Sequence, residues 1–201
     1  FALKVAKHGK VLIVTKDKLD ETATKYAQGG IAAVMYTPDT YEKHIRDTLR
    51  AGDELNDEKI VRLTITESTK RVKELIEWGT QFDKKQSGKY DLAREGGHSE
   101  NRVFHFKDKT GLEIEETLIK RLKDHPNIEI LEQHFTIDIL TQHHLGKKVT
   151  KKSEDISCYG AYVLNPRSKA IMTILSRVTL IASGGAGNVY STTTNPPIAT
   201  G

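Results

Sequence analysis

Cysteine is almost absent from the sequence, since Cys158 is the single one among 201 residues. A lone cysteine cannot form a disulfide within its own chain, so we expect a reducing compartment, the cytoplasm. Cys158 also lacks a C-x-x-C partner, His98 and His105 have no cysteine or carboxylate partner at metal-ligand spacing, and the adjacent His143 and His144 lie in a polar stretch typical of the surface. We therefore predict no metal site and interpret Cys158 as a small, half-buried strand residue.

Long apolar runs and dense blocks of like charge are also missing. No stretch approaches the roughly 20 apolar residues of a membrane-spanning helix, and no signal peptide is recognisable, so we expect no membrane partner. The net charge of +4 comes from scattered lysines, which does not favour nucleic-acid binding. Neither a G-x-S-x-G motif nor a P-loop lysine is present. What remains has the composition of a globular protein, with 37% hydrophobic and 29% charged residues.

The sequence has no initial methionine. It opens on FALKVAKHGK, which is typical of the last turns of a helix ended by a glycine, and it closes on NPPIATG. The run KVLIVTK at 10–16 then predicts a buried parallel strand. Helix, glycine and strand in this order form the second half of a βαβ unit, so we expect the chain to be part of a longer protein.

Helical and strand patterns alternate along the rest of the chain. Apolar residues at helical spacing predict helices over 40–50, 57–78 and 110–126, the second capped by Asp57 and ended by Gly79. Strands are predicted over 102–106, 128–131 and 134–141, over an antiparallel pair joined at Asn165–Pro166, and over 177–183. The stretches 80–101 and 147–155 are interpreted as loops. The pattern is that of an α/β domain with an antiparallel β excursion between two buried parallel strands.

Glycines mark the positions where a ligand could approach the main chain. Gly184, Gly185 and Gly187 directly follow a predicted strand, at the edge where open α/β sheets bind ligands. Glycine allows close backbone approach, but it also suits a tight strand-to-helix turn. Lys16, at the end of the strand 11–15, is either a ribose contact or a solvated lysine. The glycine pair in ATKYAQGGIAAV, residues 23–34, is open to the same two interpretations.

A second glycine pair lies in AREGGHSENR, residues 93–102, where it is flanked by charged residues. Arg94, Glu95, His98 and Arg102 fall within nine residues of a predicted loop. A carboxylate beside two glycines can approach a small ligand and pair with a cation. The alternative interpretation is a cluster of surface charges.

Taken together, these stretches resemble the flavoprotein family of fumarate reductase, succinate dehydrogenase and L-aspartate oxidase. The similarity covers essentially the whole chain, and it also includes the segments AREGGHSENRVFHFKDKTGLEIEETL, HPNIEILEQHFTIDIL and ASGGAGNVYSTTTNPPIATG. It implies a Rossmann-like, FAD-binding domain that lacks its first strand with the G-x-G-x-x-G turn and ends before the capping domain. Residues 1–201 would then be a partial FAD-binding domain that binds FAD poorly and is inactive alone.

Two positions point to one branch of this family. The respiratory members attach FAD through a histidine five residues before the glutamine of A-Q-G-G, where this chain has Ala23, which implies non-covalent FAD. Members that act only on dicarboxylates tend to carry an apolar residue where this chain has Glu95. In the aspartate-oxidising branch, glutamate at this position meets the substrate ammonium group. Alternatives are a soluble fumarate reductase or succinate dehydrogenase flavoprotein and a non-catalytic nucleotide- or partner-binding fragment.

The resemblance also implies the reaction, which is oxidation of L-aspartate to iminoaspartate. Oxygen or fumarate would reoxidise the flavin. The product would feed quinolinate and NAD synthesis, with quinolinate synthase as a partner. The family's catalytic base is an arginine that lies beyond residue 201, so we predict no catalytic residue within this chain and assign that role to neither Arg94 nor Arg102.

Site residues are implied by the same match. The main chain of Gln28, Gly29 and Gly30 would lie along the flavin ring, where N–H groups stabilise negative charge. Lys16, Ala23 and Thr24 would line the path from the adenosine to the pyrophosphate. Phe135 and Thr136 would present their main chain to the adenine. Gly184 and Gly185 would close against the cofactor from the next strand.

Overall fold

A computed structural model describes residues 1–201 of the chain and contains α-helices together with parallel and antiparallel sheets. In chain order its elements are α1 (Ala2–Val5), β1 (Val11–Val14), β2 (Ile31–Ala32), α2 (Tyr41–Ala51), α3 (Glu58–Trp78), β3 (Leu92–Ala93), β4 (Val103–Phe104), α4 (Thr110–Lys123), β5 (Ile128–Leu131), β6 (Phe135–Thr141), β7 (Cys158–Asn165) and β8 (Ala170–Leu175). None of the helices combines the length and the apolar character that a membrane crossing requires.

The chain divides into two compact units, which are described separately. The terminal unit consists of Phe1–Thr22 and Leu122–Gly201, and the central unit is Ala23–Arg121.

The terminal unit contains a parallel strand pair and an antiparallel sheet. β1 pairs with β5 in parallel, in the register Val11 to Ile128 through Val14 to Leu131. The Asn127 side chain donates to the Ala6 carbonyl over 2.8 Å, which ties the end of α1 to the start of β5. β6, β7 and β8 form the antiparallel sheet, with β7 in the middle. The predicted antiparallel pair is therefore present as β7 and β8.

The central unit is built from helices with clear end signals and a small sheet. The Asp57 carboxylate accepts the Ile60 N–H at 3.2 Å and so caps α3, and Gly79 ends this helix in the left-handed conformation at φ 112°. Thr40 caps α2 through the Lys43 N–H. These local signals explain why the predicted helices and the observed helices agree to within a few residues.

The core of the central unit lies where α3 meets the sheet β2–β4–β3. It is a cluster of buried side chains that α3, the strands and the connecting segments all supply: Ala33, Val72, Phe82, Leu92 and Phe104. The rings of Phe82 and Phe104 lie 5.3 Å apart in an edge-on arrangement, which aromatic pairs prefer. Phe104 pairs with Ile31 on one side and with Leu92 on the other, so β4 is the central strand.

Several predictions of strands need correction. The run 177–183 forms no strand, and its apolar side chains are exposed, including Val178 at 74% and Ile181 at 67%. No strand of the structure pairs with it, and a β-branched run without a ladder partner cannot satisfy its backbone groups as a strand. The run 11–15 does form a parallel strand, but it is half-buried because only β5 borders it. The predicted strand 102–106 shortens to β4, and the predicted loop 80–101 contains β3.

Candidate functional site

The stretch that precedes β2 in the central unit presents its main chain to solvent. Ala23 and Thr24 are exposed and lead into a short 3-10 turn, and Gln28, Gly29 and Gly30 that follow are exposed as well. Behind this stretch, the first turn of α4 holds it in place. The Gly111 N–H donates to the Ala27 carbonyl over 2.9 Å, and the buried Thr110 hydroxyl donates to the Gln28 carbonyl over 3.4 Å. The stretch is thus fixed on one side and open on the other.

The two glycines of this stretch have different reasons to be glycine. At Gly30, where φ is 152°, a Cβ would lie 2.3 Å from the Phe104 carbonyl oxygen and 2.5 Å from Val103 Cγ1. Close packing on β4 therefore requires Gly30. At Gly29 the three atoms nearest to a Cβ would all belong to the Glu95 carboxylate group, with Oε1 at 2.7 Å. Gly30 is therefore needed for the packing of the chain itself, whereas Gly29 makes room for an acidic side chain.

Glu95 belongs to the loop 94–102, which joins β3 to β4. The loop turns at Gly97, which has φ 83°, and the His98 N–H donates to the Glu95 carbonyl over 3.1 Å. Glu95 is exposed, and its carboxylate has no hydrogen bond or ion pair in the structure. The structure therefore brings together the two features predicted separately from sequence, the bare main chain at Gly29 and an acidic group that is free to bind a cation.

The same loop ends in a buried ionic network, which the interpretation as surface charges did not anticipate. Arg102 is fully buried and donates two hydrogen bonds to Asp39, at 2.9 and 2.8 Å, and one to Asp47 at 2.7 Å. The backbone N–H and hydroxyl of Ser99 both donate to Asp47 Oδ2 at 2.7 Å. The roles of Asp39, Asp47 and Ser99 are not predictable from the sequence, because no local pattern links Arg102 to carboxylates so far away in the chain.

The network shifts the titration of its members. Burial by itself would raise the pKa of Asp47, but the hydrogen bonds from Ser99 and Arg102 outweigh it and hold this pKa far below its usual range. Burial would lower the pKa of Arg102, and its bonds to the two carboxylates raise it instead. Next to them, burial lowers the pKa of His44 to about 4, and the charges of Arg102 and His98 act in the same direction. The cluster therefore contains ionised Asp47 and Arg102 beside a neutral imidazole.

In the terminal unit, the predicted site residues lie at the carboxyl ends of β1 and β5. The His134 N–H donates to the Thr15 carbonyl over 3.0 Å, so Lys16 and Phe135 follow neighbouring backbone segments. Phe135 is 49% exposed, and Thr136 beside it is exposed too. Lys16 donates to the Thr200 hydroxyl at 2.6 Å and to the Gly201 carbonyl at 3.1 Å. The structure therefore does not show Lys16 as a free, solvated lysine.

The first two glycines of the turn after 177–183, Gly184 and Gly185, are exposed. Gly184 has φ 77°, which favours glycine, but neither Gly184 nor Gly185 has a neighbour within 4 Å of the position a Cβ would take. Packing therefore does not account for Gly185, whose conformation any residue can adopt. Gly187 differs, because a Cβ there would collide with the Asn195 side chain at 2.5 Å. The free faces at Gly184 and Gly185 suit a ligand that approaches the main chain.

Other features contribute little to this site. A groove of about 390 Å³ on the surface of α2 and α3 is lined by none of the predicted site residues. No group of three or more histidine, cysteine, aspartate or glutamate residues is arranged to hold a metal ion. Cys158 is a half-buried residue at the start of β7.

Comparison with known proteins identifies the family. Residues 1–201 match the family described as FAD binding domain, and the chain belongs to this family. FAD is therefore its cofactor, which confirms the resemblance and the α/β, FAD-binding fold predicted from the sequence.

Curated relatives are similar over the whole chain. It is 46% identical over 201 residues to "L-aspartate oxidase 2-a, chloroplastic" of Nicotiana tabacum and 45% identical to "L-aspartate oxidase, chloroplastic" of Arabidopsis thaliana, and it covers 30% of each. Identity to the L-aspartate oxidase of Vibrio cholerae is 40% over 205 residues, with 37% of that protein covered. The chain thus spans about a third of the length of these relatives.

Solved structures share the fold. The quinol fumarate reductase of E. coli superposes with a TM-score of 0.86 and 27% identity, over 98% of this chain and 32% of that one. The Sdh1 complex of Mycobacterium smegmatis gives a TM-score of 0.85 and 26% identity, over 100% of this chain and 34% of that one. The mixture of parallel and antiparallel sheets is therefore an arrangement found in flavoproteins of known structure.

Proposed function

We propose that the protein is an FAD-dependent L-aspartate oxidase, which converts L-aspartate to iminoaspartate. The observation that carries this proposal is the exposed, unpaired Glu95 carboxylate beside the main chain of Gly29. The identity of 40–46% to relatives named L-aspartate oxidase supports it. A ligand with a cation next to its reacting carbon suits this arrangement.

The residues of the chain suit FAD. Gln28, Gly29 and Gly30 present exposed main chain that is anchored from behind, as a flat ring system requires. Amide N–H groups in such a stretch can bind ring oxygen and nitrogen atoms and stabilise negative charge. When bound, FAD supplies a two-electron acceptor that takes a hydride from the substrate. Alanine at position 23 has no nucleophilic nitrogen, so we propose that the cofactor is held non-covalently.

The other cofactor contacts are assigned unit by unit. In the central unit, Thr24 and Ala23 are proposed to contact the path from adenosine to pyrophosphate. In the terminal unit, Lys16 has the same role, and the main chain of Phe135 and Thr136 meets the adenine. The open faces of Gly184 and Gly185 are proposed to pack against the cofactor; they are free of internal neighbours.

Substrate selection is proposed to depend on charge. The α-ammonium group of aspartate can form a charge-assisted hydrogen bond with Glu95, which contributes about 1.5–3 kcal/mol. Succinate has no such cation, so a carboxylate at this position repels it. Arg102 is unsuited to proton abstraction because it is buried together with its two carboxylate partners, Asp39 and Asp47. Although burial alone would lower the pKa of Arg102, their hydrogen bonds raise it and so keep Arg102 protonated. We propose that the catalytic base lies outside residues 1–201.

The electron acceptor, the enzyme that uses the product and the compartment are proposed from the chemistry of the reaction. We propose oxygen or fumarate as electron acceptor, and quinolinate synthase as the enzyme that consumes iminoaspartate for NAD formation. The single half-buried cysteine suits the cytoplasm, although the plant relatives carry the word chloroplastic in their names. A stroma-facing plastid enzyme would meet the same chemical requirements.

Glu95→Gln in the full-length protein tests the proposal. Losing the charge should lower kcat/KM for aspartate by about tenfold or more, while fumarate reduction should not fall, because fumarate, like succinate, has no cation for Glu95 to bind. Glu116→Gln, on an exposed position of α4, is the matched control and should change neither rate. Unchanged aspartate turnover in Glu95→Gln would refute the role of Glu95.

The likeness to fumarate reductase structures makes a fumarate reductase or succinate dehydrogenase flavoprotein the second candidate. It requires that the wild-type protein oxidise succinate and leave aspartate unchanged.

A further inference from the structure

The loop that carries Glu95 is long for the short sheet that supports it. β3 and β4 contribute two residues each, and the loop 94–102 runs between them. At its base, the Arg102 N–H donates to the Ala93 carbonyl over 3.1 Å. A loop of this length that is attached only at its base would sample many conformations, and Glu95 would then have no fixed position.

A second attachment holds the middle of the loop to α2. Ser99 donates from its backbone N–H and from its hydroxyl to the same oxygen of Asp47, each at 2.7 Å. The next residue, Glu100, pairs with Lys43 of α2 at 2.6 Å. A Cβ on Gly97 would lie 3.6 Å from the Cβ of Ala51 at the end of α2, so the loop also lies close to the helix there.

Asp47 is itself held in place. Its side chain is 8% exposed, and Arg102 donates to it over 2.7 Å while binding Asp39 with two further bonds. Buried ionised groups with several hydrogen bonds have little freedom to move, because separating them leaves uncompensated charge. Asp47 is therefore a rigid point to which the loop is attached.

We infer that Ser99 and Asp47 are positioning residues that hold the Glu95 carboxylate beside Gly29 and thereby set the preference of the site for an amino dicarboxylic acid. The inference rests on the proposed function of Glu95. The His98 N–H, next to Ser99, donates to the Glu95 carbonyl, which connects the attachment directly to the acidic residue. The hydrogen bonds of the Ser99 and Asp47 side chains join the loop to α2 and do not reach Gly29, so both residues act through the loop.

Ser99→Ala in the full-length enzyme is the first variant, because it removes one of the two bonds to Asp47 and leaves the backbone bond. We expect KM for aspartate to rise about three- to tenfold with kcat nearly unchanged, the size of one lost hydrogen bond. KM for fumarate, which has no ammonium group, should not rise. Ser99→Thr keeps a hydroxyl and should restore KM, and Ser68→Ala on α3 serves as the matched control.

A double-mutant cycle with Glu95→Gln separates positioning from general damage. If Ser99 acts through Glu95, Ser99→Ala has no further effect on KM once Glu95 is replaced. Equal losses with aspartate and fumarate, or an unchanged effect of Ser99→Ala in the Glu95→Gln background, would overturn the inference.

Hydrogen exchange provides a readout that does not depend on activity. Amides of 94–101 should exchange faster in Ser99→Ala than in the wild type, while amides of α3 keep their protection. Unchanged exchange in the loop would overturn the inference even if the enzyme oxidises aspartate. If the wild-type protein does not oxidise aspartate, the proposed function fails, and faster loop exchange still supports the attachment of the loop to α2.

Discussion

The central unit and the terminal unit differ in how they use apolar side chains. Most of the buried hydrophobic residues belong to the central unit, where Val72 and Phe104 are completely shielded from solvent. Most of the large exposed hydrophobic residues belong to the terminal unit, among them Leu175 at 75% and Leu180 at 56%. Both units contain strands with apolar residues, so a strand-like pattern alone does not determine burial. Burial depends on whether a neighbouring helix or strand is available.

The charged side chains of the two units also differ in how deeply they are buried. The central unit encloses Arg102 with two carboxylates, whereas Lys16 of the terminal unit binds a hydroxyl and a carbonyl near the surface. A buried ionic network is costly to break, and it fixes the geometry of the groups attached to it. The unit with the tighter core is therefore also the one that can hold a loop in one place.

The largest expected difference in unfolding free energy is between two substitutions, one in each unit, that each replace a large apolar side chain by alanine. Phe104→Ala should lower the free energy of unfolding of the chain 1–201 by about 3–5 kcal/mol, because it empties the centre of a packed core. Leu175→Ala on β8 should cost less than about 0.5 kcal/mol. Denaturant unfolding measures both values. Equal losses would contradict the comparison of the two units.

A smaller effect should appear on acidification. The pKa of His44 falls from 6.5 to about 4 on folding, so between these pH values the unfolded chain binds a proton that the folded chain does not. Stability should therefore decrease as pH falls from about 6.5 to 4, by an amount on the order of 2 kcal/mol. His44→Gln should flatten this dependence in unfolding curves recorded across the range.

The control for this prediction is His143→Gln in an exposed turn of the terminal unit, which should leave the pH dependence as it is. A protein in which both substitutions flatten the curve equally would show that the central unit is not the pH-sensitive one. Below about pH 4 a second loss should set in, since Asp47, whose pKa is depressed, gives up its contribution as it takes up a proton.

The smallest expected difference lies at the helix caps. Asp57→Ala should lower the free energy of unfolding by about 1 kcal/mol, because the Ile60 N–H loses its partner at the start of a long helix. Thr141→Ala, which removes the cap of a four-residue 3-10 turn in the terminal unit, should have a smaller effect. Thermal unfolding of the two variants side by side measures the contrast, and a larger shift for Thr141→Ala would reverse it.

Features that depend on neighbouring residues could be predicted from the sequence. Asp57 and Gly79 define α3 because caps act within one turn, and the hairpin after Asn165 follows from two adjacent strand-like runs. The residue pattern also marks Glu95 and the glycines as candidate ligand contacts, the family resemblance implies their roles, and in the structure the Glu95 carboxylate lies beside Gly29.

Features that depend on distant partners could not be predicted in this way. Arg102 was interpreted with its charged neighbours, but its actual partners lie 63 and 55 residues earlier, at Asp39 and Asp47. The run 177–183 has the composition of a buried strand and lacks a ladder partner in the structure. In both cases the deciding factor was a tertiary contact that no local pattern encodes.

The contact between Gly29 and Glu95 makes position 29 a means of moving the acidic group. A methyl group on residue 29 would lie 2.7 Å from the Glu95 carboxylate, and the exposed Glu95 side chain would turn away from residue 29 to relieve this contact. An alanine at position 29 would therefore displace the acidic group while the packed core stays as it is.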